Sequence, residues 1–226
     1  LVKIVVINPN SSTAMTADIA AAAKKYAGDR FEAVTVLTPG APEFIDTFED
    51  AARAQPGMME LVRQYVDADA FIVACACDPN LKLLRELTEK PVIGVGEVSM
   101  MTAAMLGNSF SILQTDAYSV PNKKHLVEEY HMEHALASIR VAEEDSDRYR
   151  QYLKAAQKAI KEDQAEVIIL GCAGLCDLAE KLSGELGVPV LDGVVCGLAM
   201  AEGIVRNHYK TSKVRYYSGG KVPVQG

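Results

Sequence analysis

Short runs of Val, Ile and Leu alternate along the chain with longer stretches in which apolar residues return every three or four positions. The runs near 2–8, 32–38, 70–75, 91–96, 109–114, 134–142, 166–171 and 188–191 predict eight strands, four in each half of the chain. Helical periodicity predicts helices near 12–27, 49–66, 79–89, 98–106, 117–130, 145–162, 174–186 and 193–208. Most of the strand segments are continuously apolar rather than alternating apolar and polar, which is the mark of strands buried on both faces. Strict strand–helix alternation of this kind predicts an α/β fold built on parallel sheets with helices on both sides.

The two halves repeat one local frame. Ala70-Phe71-Ile72-Val73-Ala74-Cys75 is followed by a leucine-rich helix pattern and then Pro91-Val92-Ile93-Gly94; Val167-Ile168-Ile169-Leu170-Gly171-Cys172 is followed by Leu178, Leu182 and Leu186 and then Pro189-Val190-Leu191-Asp192. The cysteine-to-proline distance is 16 residues in the first copy (91 − 75) and 17 in the second (189 − 172), so the pattern reads as a duplicated strand–helix–strand unit. The strand ending at Asn8 has its counterpart in Phe110-Ser111-Ile112-Leu113-Gln114-Thr115, which supports the duplication independently. If the halves face each other, the two thiols converge on one cleft.

Composition narrows the functional classes. The chain has 226 residues, 49% of them hydrophobic and 23% charged, with a net charge of −7, and it carries no basic run before its C-terminal tail. Nucleic acid is therefore not an expected partner. The segment Val2-Lys3-Ile4-Val5-Val6-Ile7 reads as a strand and not as a leader, and no apolar run reaches membrane-spanning length, so a cytoplasmic protein with no membrane partner is expected. Five cysteines, an odd number, in that compartment read as thiols and not as a disulfide framework. The tail from Lys210 lacks periodicity and reads as an exposed terminus.

Candidate chemistry centres on Cys75 and Cys172. In open α/β sheets ligands bind beyond the carboxyl ends of the strands, where both cysteines are expected. Asp78 reads as a helix N-cap with Pro79 as the first helical residue, which would set Cys75 near free backbone N–H groups, and Ala173 and Gly174 would let the backbone approach a ligand. Helix N-termini lower a thiol pKa from about 8.5, so both thiols are expected as usable bases near neutral pH. Two such thiols on opposite sides of a molecule suit racemisation: one thiolate removes a proton next to a carbonyl, and the other thiol returns one to the opposite face. No cofactor is needed.

The ordered set Ile7-Asn8-Pro9-Asn10-Ser11-Ser12 with Met15-Thr16, Ala74-Cys75 with Asp78-Pro79, Leu170-Gly171-Cys172-Ala173-Gly174, Val188-Pro189-Val190-Leu191-Asp192-Gly193 and Thr211-Ser212-Lys213 resembles the hydantoin racemase family of the aspartate/glutamate racemase superfamily, over nearly the full length. The resemblance implies two pseudo-symmetric lobes, each a four-stranded mainly parallel sheet flanked by helices, with the active site in the cleft between them. Lobe 1 is expected over 1–97 plus a C-terminal segment from about 193, and lobe 2 over 98–192. It further implies cofactor-independent racemisation with Cys75 and Cys172 as the acid–base pair, Asn8, Ser11, Gln114 and Thr115 lining the cleft, and Ile45 shaping the side-chain pocket. The backbone at Ala76, Cys77, Ala173 and Gly174 would hold the substrate carbonyls. The implied substrates are small molecules, 5-substituted hydantoins or allantoin, and a homo-oligomer is expected. Where relatives commonly carry Phe-Gly after the first cysteine this chain has Ala76-Cys77, and Asn80 replaces the next family glycine.

Competing readings keep or change the chemistry. A maleate-type isomerase or an aspartate/glutamate-type racemase would use the same fold, and a thiol-based small-ligand or redox sensor would use the facing thiols as a switch. Cys77, Cys176 and Cys196 read as packing residues, and the spacings C-x-C and C-x-x-x-C do not form paired zinc knuckles, so no metal is expected. His131 and His134 read as surface residues, Glu97 and Asp192 as site-orienting or capping groups, and 8–12 as a turn that caps the first helix.

Overall fold

The computed structural model describes residues 1–175 and 177–219. Its elements run β1 (Lys3–Asn8), α1 (Thr13–Ala27), β2 (Glu32–Leu37), α2 (Phe48–Gln64), β3 (Ala70–Val73), α3 (Leu81–Leu87), β4 (Val92–Gly94), α4 (Val95–Leu106), β5 (Phe110–Gln114), α5 (Ser119–Glu129), β6 (Leu136–Val141), α6 (Arg148–Asp163), β7 (Val167–Leu170), α7 (Ala179–Leu186), β8 (Val190–Leu191) and α8 (Gly193–Arg206), with a 3₁₀ turn at Ala173–Leu175. The strands form two four-stranded sheets with the same order, β2-β1-β3-β4 and β6-β5-β7-β8. Every ladder in both is parallel. The duplication expected from the cysteine frame is thus a duplication of topology.

Burial follows the strand composition. Inner strands β3, β5 and β7 are buried at every residue, whereas the edge strands β2 and β6 carry partly exposed positions. By contacts the chain divides into unit 1 (Leu1–Ala74, Asp78–Gly94 and the segment from Gly197) and unit 2 (Cys75–Cys77 and Val95–Cys196). In unit 1, Val5, Ile7, Phe71 and Val73 of the sheet pack on Ala54, Met58, Leu61 and Val62 of α2 and Leu81 and Leu84 of α3. In unit 2 one face of the sheet, through Leu113, Ile168 and Leu170, packs on Tyr152, Ala155, Ala156 and Ala159 of α6 and Leu182 of α7. The other face, through Phe110, Ile112, Val167 and Ile169, meets Met100 and Ala103 of α4 and Leu126 and Val127 of α5.

Local polar chemistry sets the helix starts. Ser12 caps α1 by accepting from Met15 N at 3.3 Å, as the turn reading of 8–12 anticipates. Thr47 and Asp50 form a reciprocal capping box on α2. The expected cap at Asp78 is not there. Helix α3 starts at Leu81 after Asn80, which is left-handed (φ 60°), and Asp78 is itself at φ 47°. Its buried carboxyl lies against the Gly94 backbone, where a glycine Cβ would come within 2.4 Å of it, so Asp78 is a packed loop residue. The tail also departs from a free terminus: Thr211 donates through N to Glu89 O (2.8 Å) and through Oγ1 to Lys90 O (2.8 Å), and Lys213 Nζ caps the carbonyls of Arg85 and Glu86 at the end of α3. No described helix is long and apolar enough to cross a membrane.

Candidate active site

In each sheet the connections leave the first strand in opposite directions, which opens a crevice beyond the carboxyl ends of β1 and β3 in one and of β5 and β7 in the other. The backbone there is the same twice over. Ala74 N donates to Ile7 O at 2.8 Å in unit 1, and Gly171 N donates to Leu113 O at 2.8 Å in unit 2. One residue beyond each of these bonds comes a cysteine, Cys75 or Cys172, and both are half-buried. Both belong to unit 2.

Around them the structure adds a group that the sequence reading did not single out. Lys123 of α5 is only 1% exposed. Its Nζ donates to the Ala76 carbonyl and lies 3.5 Å from Cys77 Sγ. That ammonium acts electrostatically on Cys75 and on Cys172, favouring the thiolate at each. The signal was available: positions 123, 126 and 127 share one helical face, and the last two are the buried Leu126 and Val127. A lysine on an apolar stripe without solvent is a functional candidate.

The thiols nevertheless sit above the ordinary thiol range, which corrects the expectation of lowered values. The hydrogen bond to Cys77 is the main cause at Cys75, reinforced by burial and by the Cys77 charge, against which Lys123 pulls down. At Cys172 burial is the main cause, opposed by the Gly174 backbone N–H and by Lys123, with Cys77 and Asp116 adding to the upward push. The physical reason is local geometry. Neither cysteine sits at the mouth of a long helix: α3 begins six residues after Cys75, and Cys172 is followed by a 3₁₀ turn before α7 begins at Ala179. Without the aligned peptide dipoles of a helix mouth to offset them, the Cys77 hydrogen bond prevails at Cys75 and desolvation at Cys172. Tyr152 near Cys172 is pushed up to about 12, chiefly by burial, and stays a neutral phenol.

Gln114 closes β5 with an amide that is 1% exposed. Its Oε1 accepts from Ser119 Oγ at 3.0 Å, while its Nε2 has no hydrogen-bond partner among the described residues. Nε2 occupies the space a Cβ on Gly171 would take, 2.2 Å from that position. Thr115 is exposed and donates to Asp116 at 2.9 Å. Ala173 and Gly174 lie in the 3₁₀ turn, and Arg148 holds that loop through Gly174 O (3.2 Å) and Asp177 (2.6 Å). Ala76, Lys123, Gly171, Ala173, Ser99 and Gly193 line one small cavity in this unit.

Of the remaining sequence-selected residues, Asn8, Ser11 and Ile45 belong to unit 1 and the other described ones to unit 2. Asn8 is fully buried and donates to Asn10 Oδ1 (2.7 Å) and Thr16 Oγ1 (2.9 Å), so both amide hydrogens are used in holding the turn. Ser11 N donates to Pro42 O at 2.9 Å, and Ile45 packs partly buried on the unit 1 core. Asp192 caps α8 by accepting from Val194 N (2.8 Å) and Val195 N (3.4 Å), in line with its capping reading. Cys196 packs against the α4–α5 core, as expected, and burial pushes its thiol up to about 11. Glu97 falls in the first turn of α4. His131 and His134 are exposed in the turn after α5. Cys176 lies outside the described residues.

Comparison with known proteins places the chain among racemases. Residues 4–201 match the Asp/Glu/Hydantoin racemase family. A hydantoin racemase from Pseudomonas sp. (strain NS671) is 39% identical over 95% of this chain and 90% of its own length. The solved allantoin racemase from Klebsiella pneumoniae superposes with a TM-score of 0.93 at 33% identity, covering 100% of this chain and 96% of that one. The allantoin racemase from Pseudomonas fluorescens gives 0.91 at 30% identity, covering 98% of each.

Proposed function

The chain belongs to the Asp/Glu/hydantoin racemase family, and from that membership we propose that it inverts the C5 carbon of 5-substituted hydantoins or of allantoin by passing protons between Cys75 and Cys172. It is an isomerase of the cofactor-independent racemase type. The observation that carries the finer reading is the pair of half-buried thiols placed at equivalent strand ends, both in the field of one buried ammonium.

The chemistry follows from what these groups can exchange. The C5 hydrogen of a hydantoin ring is acidic because its carbanion is an enolate of the neighbouring carbonyl. The thiolate of one cysteine takes that proton and becomes a thiol; the thiol of the other gives a proton to the opposite face and becomes the thiolate. Each turnover therefore exchanges the roles of the two sulfurs, and the reverse reaction starts from the state the forward one leaves. Stabilisation of the enolate oxygen by backbone N–H groups of the Ala76-Cys77 and Ala173-Gly174 segments is part of the same proposal. The small Ala76 leaves room beside the first cysteine for a bulkier or more polar 5-substituent than an aromatic residue there would admit.

Proton NMR in D2O with single enantiomers of allantoin and several 5-substituted hydantoins, read with optical rotation, tests the proposal. Loss of the C5 proton signal together with loss of rotation, faster than the spontaneous rate, is expected of the native chain. Cys75→Ser and Cys172→Ser should each lower racemisation by roughly 10²–10⁴-fold, since a hydroxyl is a far poorer acid–base group at this pH. Racemisation at the native rate by either single variant would overturn the two-thiol mechanism.

A further inference from the structure

We infer that Lys123 is a positioning residue for the thiol pair: its buried ammonium holds the Cys75–Cys77 segment by the Ala76 carbonyl and supplies the charge against which a thiolate forms. The inference rests on the two-thiol reading and deepens it. A lysine ammonium that is 1% exposed is unfavourable unless its charge is compensated. The partners it reaches here are a carbonyl and a sulfur, and both are neutral while Cys77 holds its proton. An ionised thiol nearby therefore stabilises the ammonium as much as the ammonium stabilises the thiolate.

Placement supports the assignment. Lys123 projects from the face of α5 that carries Leu126 and Val127, so packing of the helix fixes where the stem starts. The segment it grips follows Cys75 directly, with Cys77 standing within reach of the ammonium. Without the Ala76 bond, residues 75–77 would lose a charge-assisted tie to α5 within unit 2. Among the described residues, Cys77 and Asp116 also act on Cys172, where they oppose thiolate formation, and the nearby Tyr152 phenol is neutral in the working range. Lys123 is the group among them that acts on both thiols in the favourable direction.

The test titrates the thiols of the full chain with iodoacetamide from about pH 6.5 to 10.5, reading alkylation of Cys75 and Cys172 separately by peptide mass spectrometry. Lys123→Met is expected to move both titrations to higher pH and to slow alkylation at pH 8 by about tenfold, the effect of one pKa unit. Lys123→Arg, which keeps a cation, is expected to restore most of that rate, and the acid limb of racemisation should move in parallel. Should Lys123→Met fail to fold by circular dichroism, Lys123→Gln, an uncharged residue that retains a donor, carries the same comparison. A folded Met or Gln variant with both titrations unchanged overturns the inference. So does a loss that Arg does not repair. Alkylation requires no substrate, so failure of the native chain to racemise any ring would be a separate result and would leave this reading of the thiols standing or falling on its own.

Discussion

Replacing Gly171 by alanine tests how tightly the second crevice is built. An added Cβ would lie 2.2 Å from Gln114 Nε2 and 2.6 Å from Leu113 O, both well inside contact distance. Forcing a methyl into such a space costs about 1–3 kcal/mol, and weakening the Gly171 N to Leu113 O bond adds about 1 kcal/mol. At about 2–4 °C per kcal/mol for a chain of this length, the melting temperature should fall by roughly 4–16 °C. Scanning calorimetry is the assay, because the chain has no Trp to report unfolding by fluorescence. The first copy of the repeat suggests the rescue. There the equivalent residue is Ala74, and the side chain before the crevice is Asn8, one methylene shorter and turned toward Asn10 and Thr16. Gly171→Ala combined with Gln114→Asn should therefore regain about 1–2 kcal/mol, a coupling typical of touching side chains. A single variant that melts within 2 °C of the native chain, or a double variant that melts below the single one, would refute the reasoning.

Two further predictions concern pH. Because the Cys75 and Cys172 thiols are both held above the ordinary thiol value, racemisation should still be rising with pH at about 8.5 and should fall once the second thiol also ionises; a rate already flat from pH 7 upward in a pH–rate profile would contradict the raised thiols. In unit 2, Arg140 grips Asp163 through Nε (2.5 Å) and Nη2 (2.8 Å), and Ser138 Oγ donates to the same carboxylate at 2.6 Å. The guanidinium holds Asp163 below the usual carboxylate range, so this contribution to stability is present above the unfolded carboxylate pKa and is lost as pH falls through the lower folded value. Asp163→Asn should cost about 1 kcal/mol at pH 7 after allowance for solvent screening, with the gap to the native chain closing in calorimetry at about pH 3; a gap that persists unchanged would show that the charge is not what matters.

What could be read from the chain divides along a physical line. Strand and helix positions were legible because Val73, Leu113 and Ile169 are buried for reasons of period and composition that any window of the sequence displays. The near-equal spacing around Cys75 and Cys172, 16 and 17 residues to the next proline, carried the duplication through to two sheets of identical order. Asp78 was misread because capping propensity is local, whereas its position is set by the Gly94 backbone sixteen residues on (94 − 78). The tail is largely exposed, as its sequence reads, but its tether is not legible there: the partners of Thr211 and Lys213 are carbonyls of 85–90, and nothing near the tail in sequence announces them. Lys123 lay between these cases. Its helical face follows from the periodicity of α5, but its partners, the Ala76 carbonyl and the Cys77 sulfur, lie 46–47 residues away in sequence and are not legible locally.

The two copies share a backbone frame and differ in the chemistry hung on it, and the difference bears on how a symmetric reaction can run. After β3 the first copy presents Cys75, Cys77 and two left-handed residues, Asp78 and Asn80; after β7 the second presents Cys172 and a 3₁₀ turn held by Arg148. Burial raises both thiols, but Cys75 is raised chiefly by a neighbouring thiol and Cys172 chiefly by lack of solvent. A proton exchanged between unlike sites would favour one resting state unless something acts on both in the same sense. Lys123 does so from a third element, α5, which is separate from both cysteine-bearing segments. In the proposed two-thiol mechanism, a cation common to both sulfurs would lower the energy of a single thiolate wherever it resides, and so would leave the direction of proton transfer to the substrate.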